Sequence, residues 1–516
     1  MSSECLPFSA IPHTTRLFAD YLQRFEKVRS FYSRPPFQRD RVGEDSKALA
    51  YDPARRRAVA AILERQNRTW AASAETLENI ERFRQGAFAV VTGQQVSLFG
   101  GPLFSLYKAL TAIKVAAELS RAGTECVPVF WLATEDHDLE EVNHATLLAP
   151  DAALHRLVTS SRGKENAPVS SIALGDDIQG LVAAAAEVLG EGEATGWLRQ
   201  SYRPGETLGN AFARLFSQIF RHSGVVLLDA SDPELHGLAA PLYREALAGA
   251  AGLEEALLHR NRALESAGYH AQARVTASST LLFRTESGSR EAIHRSDGDF
   301  VVGTRKVPAA DLQRQLSDDP GSFSANVLLR PVVQDYLLPT LAYVGGPSEV
   351  AYFAQAAVVY EKLLGRVTPI LPRFGATLIE PRMKRLMDRY QVSVADAFHG
   401  VEHLREILAE HAMSPEVHGA FDSVQAAVES SLASLRQSLE RFDPTLAEAS
   451  ARSEAKMRYQ LGRLRTRVAR VALQRQEELS RHAEQLMACL FPNKNLQERE
   501  VAGISFLTRY GPQLLL

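Results

Sequence analysis

Three short stretches place reactive residue types close together. In TEDHDLEEVNH, Thr134 to His144, four ionisable side chains run in succession: Glu135, Asp136, His137 and Asp138. Carboxylates flanking an imidazole can orient an amine, accept its proton and position the ring, which are the tasks of general acid–base catalysis. On this reading Asp136, His137 and Asp138 are the catalytic candidates, and Glu135 and Asn143 are candidate substrate contacts. His137 and His144 beside carboxylates are also acceptable ligands for a divalent cation, but they match no known ligand spacing, so no metal set is assigned. The alternative is an acidic loop that merely caps the next segment.

The second stretch is TGQQVSLFGGPLFSLYK, Thr92 to Lys108. Gly93, Gly100 and Gly101 would let backbone approach a ligand, and Pro102 suits a first helical turn. Free amides there, with the positive end of the helix dipole, make an anion site that Lys108 could reach. Thr92, Gln94 and Gln95 add polar groups. Neither a Walker A loop nor G-x-G-x-x-G is present, so a plain strand-to-helix turn is the competing reading. The third stretch, YVGGPSEV from Tyr343 to Val350, repeats the logic with Gly346, Pro347 and Ser348. Glu349 there either meets a ligand or complements the helix dipole. Arg330, upstream, is a candidate partner for a carboxylate.

These stretches need strands and helices to hold them. AFAVVT (Ala87 to Thr92) and CVPVFWLA (Cys126 to Ala133) read as buried strands flanking a helix from Pro102 to Arg121, one βαβ unit. The alternation resumes with a helix from Leu208 to His222, the strand Val225 to Ala230 and a helix from Pro233 to about Ala267. A strand from Leu341 to Gly346 then precedes a helix starting at Pro347. The expected fold is α/β, a doubly wound parallel sheet with insertions, and the acidic loop follows a strand where such sheets bind ligands. Residues 1–85 read as a helical segment: Leu17 to Tyr32 at helical spacing, then a helix from Asp52-Pro53 to about Arg84. The core spans 86–380.

Beyond Pro381 the pattern is helical, and residues 381–490 form the next unit. Val428, Leu432, Leu435, Leu439 and Phe442 alternate spacings of four and three, the seam of a coiled coil. Asp443-Pro444 starts another helix, continued by Leu461, Leu464, Val468 and Val471. That helix is basic, with Arg452, Lys456, Arg458, Arg463, Arg465, Arg467, Arg470, Arg475 and Arg481, either a solvated face or an RNA-binding arm. Residues 491–516 form a tail in which ISFLTRY returns to the core. At 516 residues the chain exceeds one ordinary core, and its net charge of -3 gives no global attraction to nucleic acid or anionic membrane. Cys5, Cys126 and Cys489 lie too far apart in sequence for a C-x-x-C pair, no signal peptide or membrane-length apolar run is legible, and a cytoplasmic location is expected.

TGQQVSLFGGPLFSLYKALTAIK followed by PVFWLATEDHDLEEVNH resembles the cysteine ligase family of bacillithiol biosynthesis, the BshC family. The resemblance continues in FSANVLLRPVVQDYLLPTLAYVGGPSEVAYF (Phe323 to Phe353) and LFPNKNLQER (Leu490 to Arg499), and scattered agreement spans nearly the whole chain. It implies a Rossmann-like core with inserted connecting segments and a helical coiled coil that makes a homodimer. It also implies the last step of bacillithiol synthesis, in which cysteine is joined to glucosaminyl-malate through an amide. Amide formation from a free carboxylate needs activation, so a nucleotide, ATP or similar, is the expected co-substrate. The HIGH and KMSKS motifs of class I synthetases are absent. Two rival readings are a non-catalytic nucleotide-binding coiled-coil scaffold and an RNA-associated synthetase relative.

Overall fold

The computed structural model describes residues 3–474 and 477–515, which fall into two compact units. The first comprises residues up to Ala149, His155–Ala376 and the tail from Glu498 onward. Its central sheet is five parallel strands: β1 (Phe88–Gln94), β2 (Cys126–Leu132), β3 (Val226–Asp229), β9 (Thr340–Gly345) and β10 (Ile370–Pro372), in the order β10-β9-β1-β2-β3. All seven residues of β2 and all six of β9 are buried, as continuous apolar runs demand when both faces are covered. The chain begins at the central β1, winds outward through β2 and β3, then returns to wind the other way. The topological switch point therefore lies between β1 and β9, outside their carboxyl ends.

Between β3 and β9 the chain inserts an antiparallel sheet: β4 (Ser279–Glu286), β5 (Ser289–Ser296), β6 (Asp299–Val302), β7 (Arg305–Val307) and β8 (Phe323–Ala325), in the order β8-β4-β5-β6-β7. Its inward residues Leu282, Ile293, Phe300 and Val302 join one apolar cluster with Val129, Val226 and Tyr343 of the central sheet. The principal helices here are α1 (Phe104–Arg121), α2 (Pro233–Ala248) and α3 (Pro347–Leu364). Pro233 and Pro347 open α2 and α3 at the first turn, where the missing amide costs nothing.

Three helices expected as continuous are broken. The segment expected from Asp52-Pro53 to Arg84 is two helices, Pro53–Thr69 and Ala74–Gln85, because Ala71 turns to φ 55° and Ser73 caps a new start. The run from Pro233 to Ala267 divides at Gly249 into α2 and a helix Ala250–Ser266. The helical spacing from Leu17 to Tyr32 covers one α-helix, Arg16–Gln23, followed by two 3₁₀ turns.

The second unit, Pro150–Leu154 with Thr377–Gln497, is helical beyond residue 376. Its core gathers Met387, Tyr390, Leu404, Leu408, Leu479, Leu486 and Phe491. Two long helices, α4 (Pro415–Phe442) and α5 (Pro444–Gln474), form a hairpin cross-linked by ion pairs. Arg436 pairs with Glu454, and Arg465 lies 2.9 Å from Glu410 and 3.1 Å from Asp422. The arginines that made this stretch a candidate RNA arm are thus partly engaged within the chain; Arg475 lies outside the described residues, and Arg481 stands on a separate helix, Glu477–Leu490. Among the described residues no helix is long and apolar enough to cross a membrane.

Candidate functional site

The sequence candidates fall into two adjoining groups at the carboxyl edge of the central sheet. The first sits at the switch point. Gly93 has no room for a side chain, since a Cβ would stand 3.0 Å from the Trp131 carbonyl oxygen. The Gly93 carbonyl oxygen accepts from Lys108 Nζ of α1 at 2.7 Å. Lys108 also donates to Gln94 Oε1 at 2.9 Å and pairs with Glu349 Oε2 at 2.5 Å, and its side chain is only 4% exposed. Glu349 in turn accepts from the Tyr343 hydroxyl at 2.6 Å and the Gly346 amide at 2.7 Å, closing a capping box on α3. Burial alone would raise the Glu349 carboxyl; Lys108, the Gly346 amide and Tyr343 outweigh it and hold it below the usual range. Arg330 donates to the Tyr352 hydroxyl at 2.9 Å and lies over the Tyr343 ring. Thr92 donates to the Val344 carbonyl oxygen across the same strands, and Ser348 is exposed at the start of α3.

Gly100 and Gly101 lie elsewhere in the loop and do different work. Both have positive φ, 85° and 71°, and both are buried. The Gly100 amide donates to the Tyr202 hydroxyl, the Gly101 amide to the Leu98 carbonyl oxygen, and the Leu103 amide to Val501 in the tail. Gly503 N–H donates back to the Gly101 carbonyl oxygen at 3.2 Å. These glycines let the C-terminal tail pack against the loop, and their amides are already bonded within the protein.

The second group is the acidic loop after β2. Gln95 reaches across from β1, its Nε2 donating to Asp136 Oδ2 and Glu141 Oε2, both at 2.7 Å. Asp136 Oδ1 accepts from the His137 amide, and Asp138 caps the short helix Leu139–Val142. Asn143 is buried, its carbonyl oxygen accepting from the Thr159 amide. Arg290, from β5, stacks over Phe283 at 3.9 Å and donates to Ser324 Oγ and the Ala325 carbonyl oxygen; its NH1 lies 3.4 Å from His137 Nδ1. Burial lowers the Arg290 pKa, against the pull of Glu135 and Asp136. A cleft of about 320 Å³ opens beside His137, lined also by Asp138, Glu140, Lys164 and Asn166.

His236, in the first turns of α2, is 4% exposed and lies 3.2 Å from Glu135 Oε1 through Nε2. Burial opposes the imidazolium, but Glu135 and nearby backbone carbonyls prevail, raising the pKa above 6.5. Such a group stabilises the fold fully below 6.5 and loses that contribution as pH rises through its folded value. The urea midpoint is therefore expected to fall as pH rises above 6.5, and His236→Gln is expected to flatten that slope. An identical slope in the variant would show that His236 does not titrate in the fold.

An acidic loop gripped from two sides at the carboxyl edge of a doubly wound sheet is the geometry against which relatives can be compared. Residues 1–374 match the family described as "Bacillithiol biosynthesis BshC, N-terminal Rossmann-like domain", and residues 376–516 match its "C-terminal coiled-coil domain". The chain belongs to the BshC family. A relative from Koribacter versatilis is 47% identical over 100% of this chain and 97% of its own length. One from Solibacter usitatus is 39% identical over 100% and 96%, and one from Salinibacter ruber 33% over 99% and 94%. All three carry the name "Putative cysteine ligase BshC". The BshC match thus covers the Rossmann-like core and the helical hairpin alike. Sequence reasoning had passed over His236 and Arg290, which reach the BshC acidic loop from segments about a hundred residues or more away. The only local signal was Asp232-Pro233, a helix start that sets His236 on the same buried face as Leu235 and Ala239.

Proposed function

We propose that this chain is the ligase that joins cysteine, through an amide bond, to the amine of glucosaminyl-malate. One observation carries the reading: at the end of β2, buried His236 holds Glu135 and Arg290 reaches His137, with His137 and Asp138 lining an open cleft. Such a site can receive an amine and handle its proton. Cysteine's carboxyl group must be activated, with a nucleoside triphosphate as co-substrate. The glycine-loop amides are bonded within the protein, so they do not fit an open phosphate cradle. At the first turn of α3 Glu349 takes the Gly346 amide and Pro347 has none, so the Ser348 amide with Arg330 nearby is the place for phosphate or the malate carboxylates. Purified protein given glucosaminyl-malate, cysteine and ATP, or another nucleoside triphosphate, is expected to yield the amide-linked thiol by mass spectrometry. No product with any of them would overturn the reading.

The partner proposed for the helical hairpin is a second copy. Leu435 and Phe442 on α4 and Leu464 and Val471 on α5 remain exposed at seam spacing, Phe442 at 83%, which supports a coiled-coil contact with another copy. Leu435→Asp with Phe442→Asp would bury unpaired charge in that interface and cost it several kcal/mol, roughly. Light scattering at micromolar concentration should then find a monomer. A persisting dimer would place the interface elsewhere.

A further inference from the structure

Most carboxylates near the end of β2 are already engaged. Asp136 accepts from the His137 amide through one oxygen and from Gln95 through the other. Asp138 caps a helix, and Glu141 takes the second hydrogen bond of the Gln95 amide group. Asp229, at the end of β3, is bound by the hydroxyls of Thr134 and Ser231 and by the Ser231 amide. Glu135 differs. Its Oε1 is fixed by His236, while no hydrogen-bond donor among the described residues meets Oε2. The side chain retains 15% exposure, so that second oxygen is within reach of a ligand.

We propose that Glu135 is the catalytic carboxylate that receives the substrate's amine and takes its proton, and that His236 is the positioning residue that holds it. The proposal rests on the ligase reading and names the acceptor within that site. A carboxylate suits the task because the attacking nitrogen becomes strongly acidic as its bond to carbon forms. The amine lone pair makes the C–N bond, and one N–H proton passes to Glu135 Oε2. The phosphate or nucleoside monophosphate that activated the carboxyl group, supplied by a nucleoside triphosphate, leaves with its electron pair. His236 limits the geometry. Buried and paired, it leaves Glu135 one oxygen for its ligand and one orientation in which to present it. Arg290 supports the loop from the opposite element, β5, through His137.

The test separates amine recognition from turnover by calorimetry with glucosaminyl-malate and with its N-acetylated form. Wild-type protein is expected to prefer the free amine about tenfold or more, the worth of a hydrogen bond to a charged group. Glu135→Gln should lose that preference and slow product formation about 10²–10⁴-fold. Glu135→Asp, which keeps the charge but withdraws it by one methylene, should retain part of the preference. His236→Gln, which still donates to Glu135, should keep most of it, and His236→Leu should lose it while circular dichroism stays native. A wild-type preference surviving in Glu135→Gln would overturn the assignment of Glu135 while leaving the ligase reading intact. Equal losses in His236→Gln and His236→Leu would overturn the positioning role. If wild-type protein binds both forms alike, the amine is not recognised here and the proposal fails. If it prefers the amine yet forms no product, the ligase reading fails and the binding data still judge Glu135.

Discussion

Replacing Lys108 by methionine is expected to destabilise the first unit by about 3–5 kcal/mol, the cost of leaving a buried charge without its partner. A surface lysine in an ion pair would cost at most about 1 kcal/mol. The difference comes from burial: three acceptors surround the Lys108 ammonium, the Gly93 carbonyl oxygen, Gln94 Oε1 and Glu349 Oε2. Removing it strands an ionised Glu349 between the Tyr343 hydroxyl and the Gly346 amide, at the start of α3. The pair ties α1 to α3 across the switch point, so the damage should appear as a lower urea midpoint. Adding Glu349→Gln removes the stranded charge and should restore much of the loss, because matched neutral partners can replace a buried pair at little net cost. If Lys108→Met melts like wild type and instead weakens nucleotide binding alone, the lysine is free to serve a ligand and the ion pair has no structural role.

The contrast between what the sequence disclosed and what it hid follows from how far each signal travels along the chain. Strands β1, β2, β3 and β9 are runs of apolar and β-branched residues whose burial on both faces is a local property, so their positions were readable to within a few residues. Asp138 as a helix cap is local too, and the bland reading of the acidic loop anticipated such a role. The insertion was legible only as a gap. Strands such as Ser289–Ser296 carry Arg290, Glu291, His294 and Arg295, and a polar antiparallel strand with one buried face gives a weak alternating signal. Lys108 was placed on the right helix, but whether a lysine points to a ligand or to a carboxylate on another helix is decided by packing. His236 and Arg290 had no motif at all. Each acquires its meaning from a residue far away in sequence, Glu135 and His137 respectively.

His137→Asn should leave folding and substrate binding near wild type while lowering the rate of thiol formation about 10²–10³-fold. Arg290 NH1 can only donate, so its 3.4 Å contact with Nδ1 calls for the tautomer with the ring proton on Nε2, with Asp136 Oδ1 3.7 Å from the same Nδ1. The ring lines the cleft beside Asp138 and Lys164. In this arrangement His137 is a donor, suited to the oxygen that gains negative charge when an amine adds to an activated carboxyl group, while Glu135 is the acceptor for the proton the amine gives up. One loop thus presents opposite hydrogen-bonding roles two residues apart, because a guanidinium holds one side chain and an imidazole holds the other. Asparagine keeps an acceptor near the Nδ1 position for Arg290 but puts no donor where Nε2 stood, so the loop should survive and the chemistry should not. Single-turnover measurements with preformed activated cysteine would place the loss in the amide-forming step. If that step runs at the wild-type rate, His137 serves the loop through Arg290 and the oxyanion meets another donor; if the variant unfolds, the Arg290 contact requires the ring itself.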